Sequence, residues 1–134
     1  MWLGLLLALA MQTPPVAQVV ARDVISHVEE PRQAVARTDA EWVALWKLHA
    51  GDKPLPAVDL KTRTVVAIFL GTRSSAGYGA EIVSVRSQQG TTVVRWTEKR
   101  PAPGTVSAQV ITSPALIATV PRISGEIRFE KVEP

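Results

Sequence analysis

Residues 65–79 read Val65-Val66-Ala67-Ile68-Phe69-Leu70-Gly71-Thr72-Arg73-Ser74-Ser75-Ala76-Gly77-Tyr78-Gly79. The first six are apolar without a break. A strand with one wet face alternates apolar and polar positions, so an unbroken run predicts a strand buried on both faces and therefore central. Three glycines and two serines among the next nine positions cannot build a core and predict a loop. A second β-rich run, Ile82-Val83-Ser84-Val85, follows it. The loop is thus held between two strands, the setting in which a rigid scaffold presents functional residues.

The elements around this stretch are mostly strands. Val16, Val19-Val20, Val24-Ile25 and Val28 predict one or two strands over 16–28, interrupted by Arg22-Asp23. Thr38-Asp39-Ala40-Glu41 is a capping box, and Trp42, Leu45, Trp46 and His49 follow at the spacing of one helical face. Gly51 ends a predicted helix over 39–50. The prolines at 54 and 56 keep residues 53–60 extended. Strands over 80–87 and 91–98 flank a Gln88-Gln89-Gly90 turn, a predicted hairpin. Val106, Ala108 and Val110 alternate with polar residues and predict a half-buried strand over 105–112. Residues 116–120 and 126–132 predict the last two, with Ile127 and Phe129 inward. The sum is a mostly β, α+β domain: an antiparallel sheet or two-layer arrangement with one amphipathic helix packed on it.

The chain's 134 residues suffice for one domain with a real core. Residues 1–10 form an apolar stretch ending Ala8-Leu9-Ala10. It is too short to span a bilayer, which takes about 20 apolar residues. It fits a secretory leader with a small-residue cleavage site, although no Lys or Arg precedes it; a misassigned start or a buried first strand is the alternative. Residues 11–134 are then the mature domain, with no stable membrane span. The chain has no cysteine, which excludes disulfides, thiolate metal sites and Cys nucleophiles. An exported protein without disulfides suits a bacterial periplasm or cell surface. The net charge is +3, but the basic residues are scattered, alternate with acids and do not interleave with aromatics, so no nucleic-acid partner is expected.

Catalytic patterns fail one by one. Ser74 or Ser75 with His27 or His49 and an acid would make a triad, but the loop is not G-x-S-x-G and leads into a strand rather than a helix. His27, Glu29 and Glu30 are too few ligands in one run for a metal site. His49 reads as a helix-end histidine. Glu81, Glu98 and Asp59 show no pairing that suggests glycoside chemistry. No catalytic residue, cofactor or metal is expected, and the chain is read as a non-enzyme. Tyr78, between two glycines, either folds back over the sheet edge as a lid or projects as a contact residue. Arg73, Ser74, Ser75, Gly77, Tyr78 and Gly79 are therefore the candidate partner-binding loop. Its glycines suit a backbone with positive φ, which is expected at Gly77 at least.

The order of these elements resembles the protease complex subunit PrcB C-terminal domain family. The resemblance rests on Glu41-Trp42, Leu45-Trp46, Leu55-Pro56-Ala57-Val58-Asp59-Leu60, the strand and loop at 65–79, Glu98 with Pro101, Pro103 and Gly104, and Gln109-Val110-Ile111-Thr112-Ser113-Pro114. It covers about residues 38–129. Two positions depart from the family pattern: Ser74-Ser75-Ala76-Gly77-Tyr78 stands in place of a Pro-Thr-Gly-Gly-Tyr loop, and Ala115 stands where an aromatic follows the corner proline. The resemblance implies an extracytoplasmic, non-catalytic β-rich module, and its namesake accompanies a surface protease without that partner carrying over to this chain. The chain is read as an interaction module for another envelope or secreted protein, with an accessory subunit of an envelope protease as one form of that role. The alternative is a protease inhibitor presenting a Gly-Tyr loop on a β scaffold, similar in that one loop to chagasin-type inhibitors.

If the leader is cleaved after Ala10, exported protein begins at Met11. N-terminal sequencing of envelope material reads this directly, and retention of residues 1–10 in a soluble cytoplasmic protein would contradict it.

Overall fold

A computed structural model describes residues 17–134. The expected leader at 1–10 and its cleavage site lie outside the described residues, as does residue 16 of the predicted 16–28 run. The elements in chain order are β1 (Gln18–Asp23), β2 (Arg32–Ala36), α1 (Asp39–Ala50), β3 (Arg63–Phe69), β4 (Gly79–Gln88), β5 (Thr91–Lys99), β6 (Ala115–Pro121) and β7 (Glu126–Lys131).

Two sheets form, one ordered β1-β6-β3-β2 and the other β4-β5-β7. The uninterrupted apolar run explains how they stack. On β3, Val65, Ala67 and Phe69 join Trp42, Leu45, Trp46 and Ala50 of the helix in one buried cluster. Val66 and Ile68, on the opposite face, join Val94, Trp96 and the partly buried Phe129 of the second sheet. β6 alternates in the same way, with Ala115 and Ile117 toward the helix and Leu116, Ala118 and Val120 toward the second sheet. The four-stranded sheet is therefore the middle of three layers, helix on one face and second sheet on the other. Its two inner strands need apolar residues at consecutive positions, because neither face meets water. The expected two-layer sheet arrangement is present, and the helix covers a face of it.

Local signals place the helix. The Thr38 side chain accepts from the Glu41 N–H, and the Glu41 carboxylate accepts from the Thr38 N–H, closing the capping box. The Gly51 N–H donates to the Lys47 carbonyl at the other end. Trp42 and Trp46 pack with ring centroids 5.6 Å apart. Each indole N–H donates to a carbonyl of the connector that follows, Pro56 and Lys53 respectively. These bonds let two large rings be buried without stranding a donor. The β4–β5 hairpin turns through Gln89 at φ 52 and Gly90 at φ 82, the two left-handed residues that a tight two-residue hairpin turn requires.

Three expectations are corrected. Residues 105–112 form no strand, and Val106 is fully exposed at 102 %. Alternation alone does not make a strand; it needs a neighbouring ladder, and this segment instead spends backbone bonds on the 71–79 loop. Within the described part of the 16–28 run only Gln18–Asp23 is a strand; Val24 and Ile25 are exposed and Val28 is buried. The pairing is also not wholly antiparallel, because β7 lies parallel to β5, from Thr91 opposite Glu126 to Trp96 opposite Lys131. β6 crosses to the other sheet between them, so the chain returns to β5 running in its direction.

The packing of Trp46 gives a direct test. Trp46→Ala should destabilise the protein by about 3–5 kcal/mol, the range for truncating a buried aromatic. Urea unfolding measures it, and a loss below about 1 kcal/mol would mean that the helix face is not core.

Candidate functional site

The loop leaves β3 at Leu70 and enters β4 at Gly79, so both of its ends are anchored in strands. Its middle is bound to the segment before β6. Arg73 and Thr112 exchange two backbone hydrogen bonds, of 2.8 and 2.9 Å. The Ala76 N–H donates to the Ala108 carbonyl, and the Thr112 hydroxyl donates to the Ser75 carbonyl. Gly77 has φ 102, as expected, and a Cβ there would lie 2.7 Å from Pro101 Cγ. The two loops thus form one hydrogen-bonded unit, with a close approach that a side chain at 77 would block.

A buried ion pair fixes this unit to the second sheet. Along β5, Thr92, Val94, Trp96 and Glu98 alternate inward, and Glu98 is only 4 % exposed. Arg73 donates to both of its carboxylate oxygens, Nε to Oε2 at 3.0 Å and an Nη to Oε1 at 3.1 Å. Lys131 Nζ adds a third bond at 3.1 Å. The other guanidinium nitrogen donates to the Leu70 and Thr72 carbonyls. The Arg73 hydrogen bonds hold the Glu98 carboxyl below the ordinary carboxylate range, with Lys131 adding to the effect and burial opposing it. The same pairing raises the Arg73 guanidinium.

The candidate loop residues therefore have different surroundings. Arg73 is half-buried in the ion pair, Ser74 is exposed, and Ser75 is buried with its hydroxyl donating to the Ala76 carbonyl. Tyr78 is half-buried against the Ile68, Leu70, Ala80, Trp96 and Leu116 cluster, with the Arg73 guanidinium 5.8 Å from its ring centroid. It has the lid arrangement, although it also lines a cleft of about 350 Å³ with Val24, Gly77 and Gly79. Next to it, Ile25 and Ile111 line a second cleft with Thr72 and Ser113. Val24 and Ile25 are chain neighbours, so the clefts adjoin. Val24, Ile25, Val110 and Ile111 are all exposed, Ile111 at 74 %.

Two arrangements escape the sequence reading. One is Glu98: an acid in step with inward Val94 and Trp96 is the available signal, since a charge on a buried face demands a partner. The other is a chain through His49, whose ring is buried. Its Nε2 lies 2.6 Å from Asp23 Oδ2 and its Nδ1 2.8 Å from Ser26 Oγ. The Ser26 oxygen also accepts from the Val28 N–H, and Ser113 bonds the Ser26 backbone at both N–H and carbonyl. This ties the helix end, the end of β1 and the approach to β6 together. The structure brings neither Ser74 nor Ser75 to either histidine, and His27 is exposed. Among the described residues no group of three or more His, Cys, Asp or Glu is placed to hold a metal, and no helix is long and apolar enough to cross a membrane.

A family model described as PrcB C-terminal matches residues 64–121, from β3 through β6, a shorter stretch than the 38–129 of the sequence resemblance. No curated protein and no solved structure matches the chain.

The Glu98 pair makes stability depend on acid. With its carboxyl depressed in the folded protein, the unfolded chain takes up the proton first as pH falls. The stabilisation is complete above the ordinary carboxylate range and is lost as pH drops toward the folded value. Urea unfolding at about pH 7 and about pH 3 should show a steep fall for the natural protein and a shallower one for Glu98→Gln. Equal falls would remove the pair from the account.

Proposed function

We propose that the protein is an exported, non-catalytic interaction module that serves as an accessory subunit of an envelope protease; the match of residues 64–121 to a family model described as PrcB C-terminal supports this reading. The family name points to a complex of that kind. The observation that carries the reading is the apolar rim of Val24, Ile25 and Ile111 on the two adjoining clefts, with the exposed Val110 beside Ile111 in the chain. Exposed apolar side chains that cluster mark interaction sites, whereas single ones do not. The rim stands on loops already fixed by hydrogen bonds to each other and by the Arg73–Glu98 pair. A fixed surface loses little conformational entropy on binding.

A non-catalytic role is supported by the state of the hydroxyl nearest a histidine. The Ser26 oxygen is buried and engaged by the Val28 N–H and His49, so it is held as a structural link. An accessory role is preferred to inhibition because Tyr78 packs back on the Trp96 cluster and the loop offers no projecting aromatic tip.

The test is a charge placed on the rim. Affinity capture from the envelope with the natural protein should recover a protease. A Val24→Asp, Ile111→Asp double variant, with unfolding unchanged, should recover at least about tenfold less, the scale of removing a hot spot. Assay of the protease with and without the module then separates support from inhibition. Recovery unaffected by the double variant would place the interface elsewhere.

A further inference from the structure

We propose that a separate cleft, at the side where the two sheets end, binds the C-terminal residue of a peptide whose last side chain is apolar or aromatic. β2 is an edge of one sheet and β7 an edge of the other. A cleft of about 320 Å³ opens between them, with Gln33 of β2 on one side and Phe129 and Lys131 of β7 on the other. It shares no lining residue with the two clefts of the apolar rim.

The inner wall is apolar. Leu70, Trp96 and Phe129 belong to one hydrophobic cluster, and all three line the cleft. Its charged groups are cationic donors, and Gln33 at the rim adds an amide that can donate or accept. Among the described residues Arg73 and Lys131 are the charged ones lining it, and both lean on the single carboxylate of Glu98 behind them. One positive charge is left over, which one ligand carboxylate would balance. Lys131 Nζ has three protons, and among the described residues only Glu98 accepts one of them. Nζ is also held 5.4 Å from the Trp96 ring centroid, at the mouth of the apolar wall. Trp96, which lines the cleft, carries a further donor. Its indole N–H, unlike those of Trp42 and Trp46, has no protein acceptor among the described residues and is not one of the buried unpartnered atoms, so it is open to solvent. A cleft that sets a few convergent polar groups against an apolar wall is a common build of a ligand site. Unspent cationic and N–H donors beside an apolar hole select a group that is a carboxylate at one end and a hydrocarbon next to it. The C-terminal residue of a peptide has that form, and its capture is an established recognition mode.

The experiment titrates the 15N-labelled protein with acetyl-Ala-Ala-Ala-Phe as the free acid and as the C-terminal amide, following the Trp96 indole N–H resonance. The expected result is saturable binding of the acid, at least about tenfold tighter than the amide, for loss of a charge-assisted contact. Lys131→Gln, which leaves the two-pronged Arg73–Glu98 contact in place, should lower affinity for the acid about tenfold as well. Gln33→Trp, at an exposed rim position, should block the cleft without touching the cations. The Val24→Asp, Ile111→Asp variant should bind the acid normally, so loss of the rim interface and loss of this site are told apart. Equal binding of acid and amide, or no saturable shift of the Trp96 resonance, would overturn the proposal.

Discussion

Strand β3 has no face left for water, and the architecture depends on that constraint. One side of the strand supplies Val65, Ala67 and Phe69 to the helix layer, and the other supplies Val66 and Ile68 to the second sheet. Removing either neighbouring layer would expose a full row of apolar side chains, at roughly 25 cal/mol for each Å² of apolar surface. β6 has the same problem and the same solution, so the two strands sit side by side in the middle of their sheet. The two tryptophans of α1 are the counterpart of this constraint, because a single helix must cover a sheet face that a second sheet would otherwise cover.

The candidate site is a consequence of where β3 ends. The chain leaves the core at Leu70 and returns at Gly79, and what happens between is controlled by one buried carboxylate. A buried ion pair is not by itself a source of stability, since the desolvation of both charges offsets the attraction. Its effect here is to choose a conformation. Glu98 is part of the β5 ladder and cannot move, so Arg73 must come to it, and the backbone of Arg73 is thereby set against Thr112. The exposed Val110 and Ile111 inherit their positions from that contact.

The parts of this that could be read from the sequence are those with local or periodic signals. Thr38 and Glu41 close a capping box within four residues, and Trp42, Leu45, Trp46 and His49 share one face, so α1 was legible to its ends. The run at 65–70 announced a strand buried on both sides for the same reason. Residues 105–112 misled because their alternation has the period of a strand while their backbone bonds go to the 71–79 loop instead of a sheet edge. The parallel placement of β7 depends on β6 crossing between sheets, which no short window contains. In the candidate site, positive φ at Gly77 was legible from glycine beside Tyr78, but the grip of Arg73 on Glu98 joins residues 25 apart, and the Asp23–His49–Ser26 chain joins residues 26 and 23 apart. Such contacts are products of the tertiary fold; only the inward register of Glu98 hinted at one.

The central claim is that Glu98, from within the sandwich, holds two loops as one preformed surface. Amide hydrogen exchange of the free protein tests it most directly. The N–H groups of Arg73, Ala76 and Thr112, which bond across the two loops, should exchange slowly. Glu98→Gln should speed those three selectively while the β3 amides stay protected, the pattern of a local opening rather than global unfolding. Unprotected exchange of the three amides in the natural protein, or rates untouched by Glu98→Gln, would contradict the account.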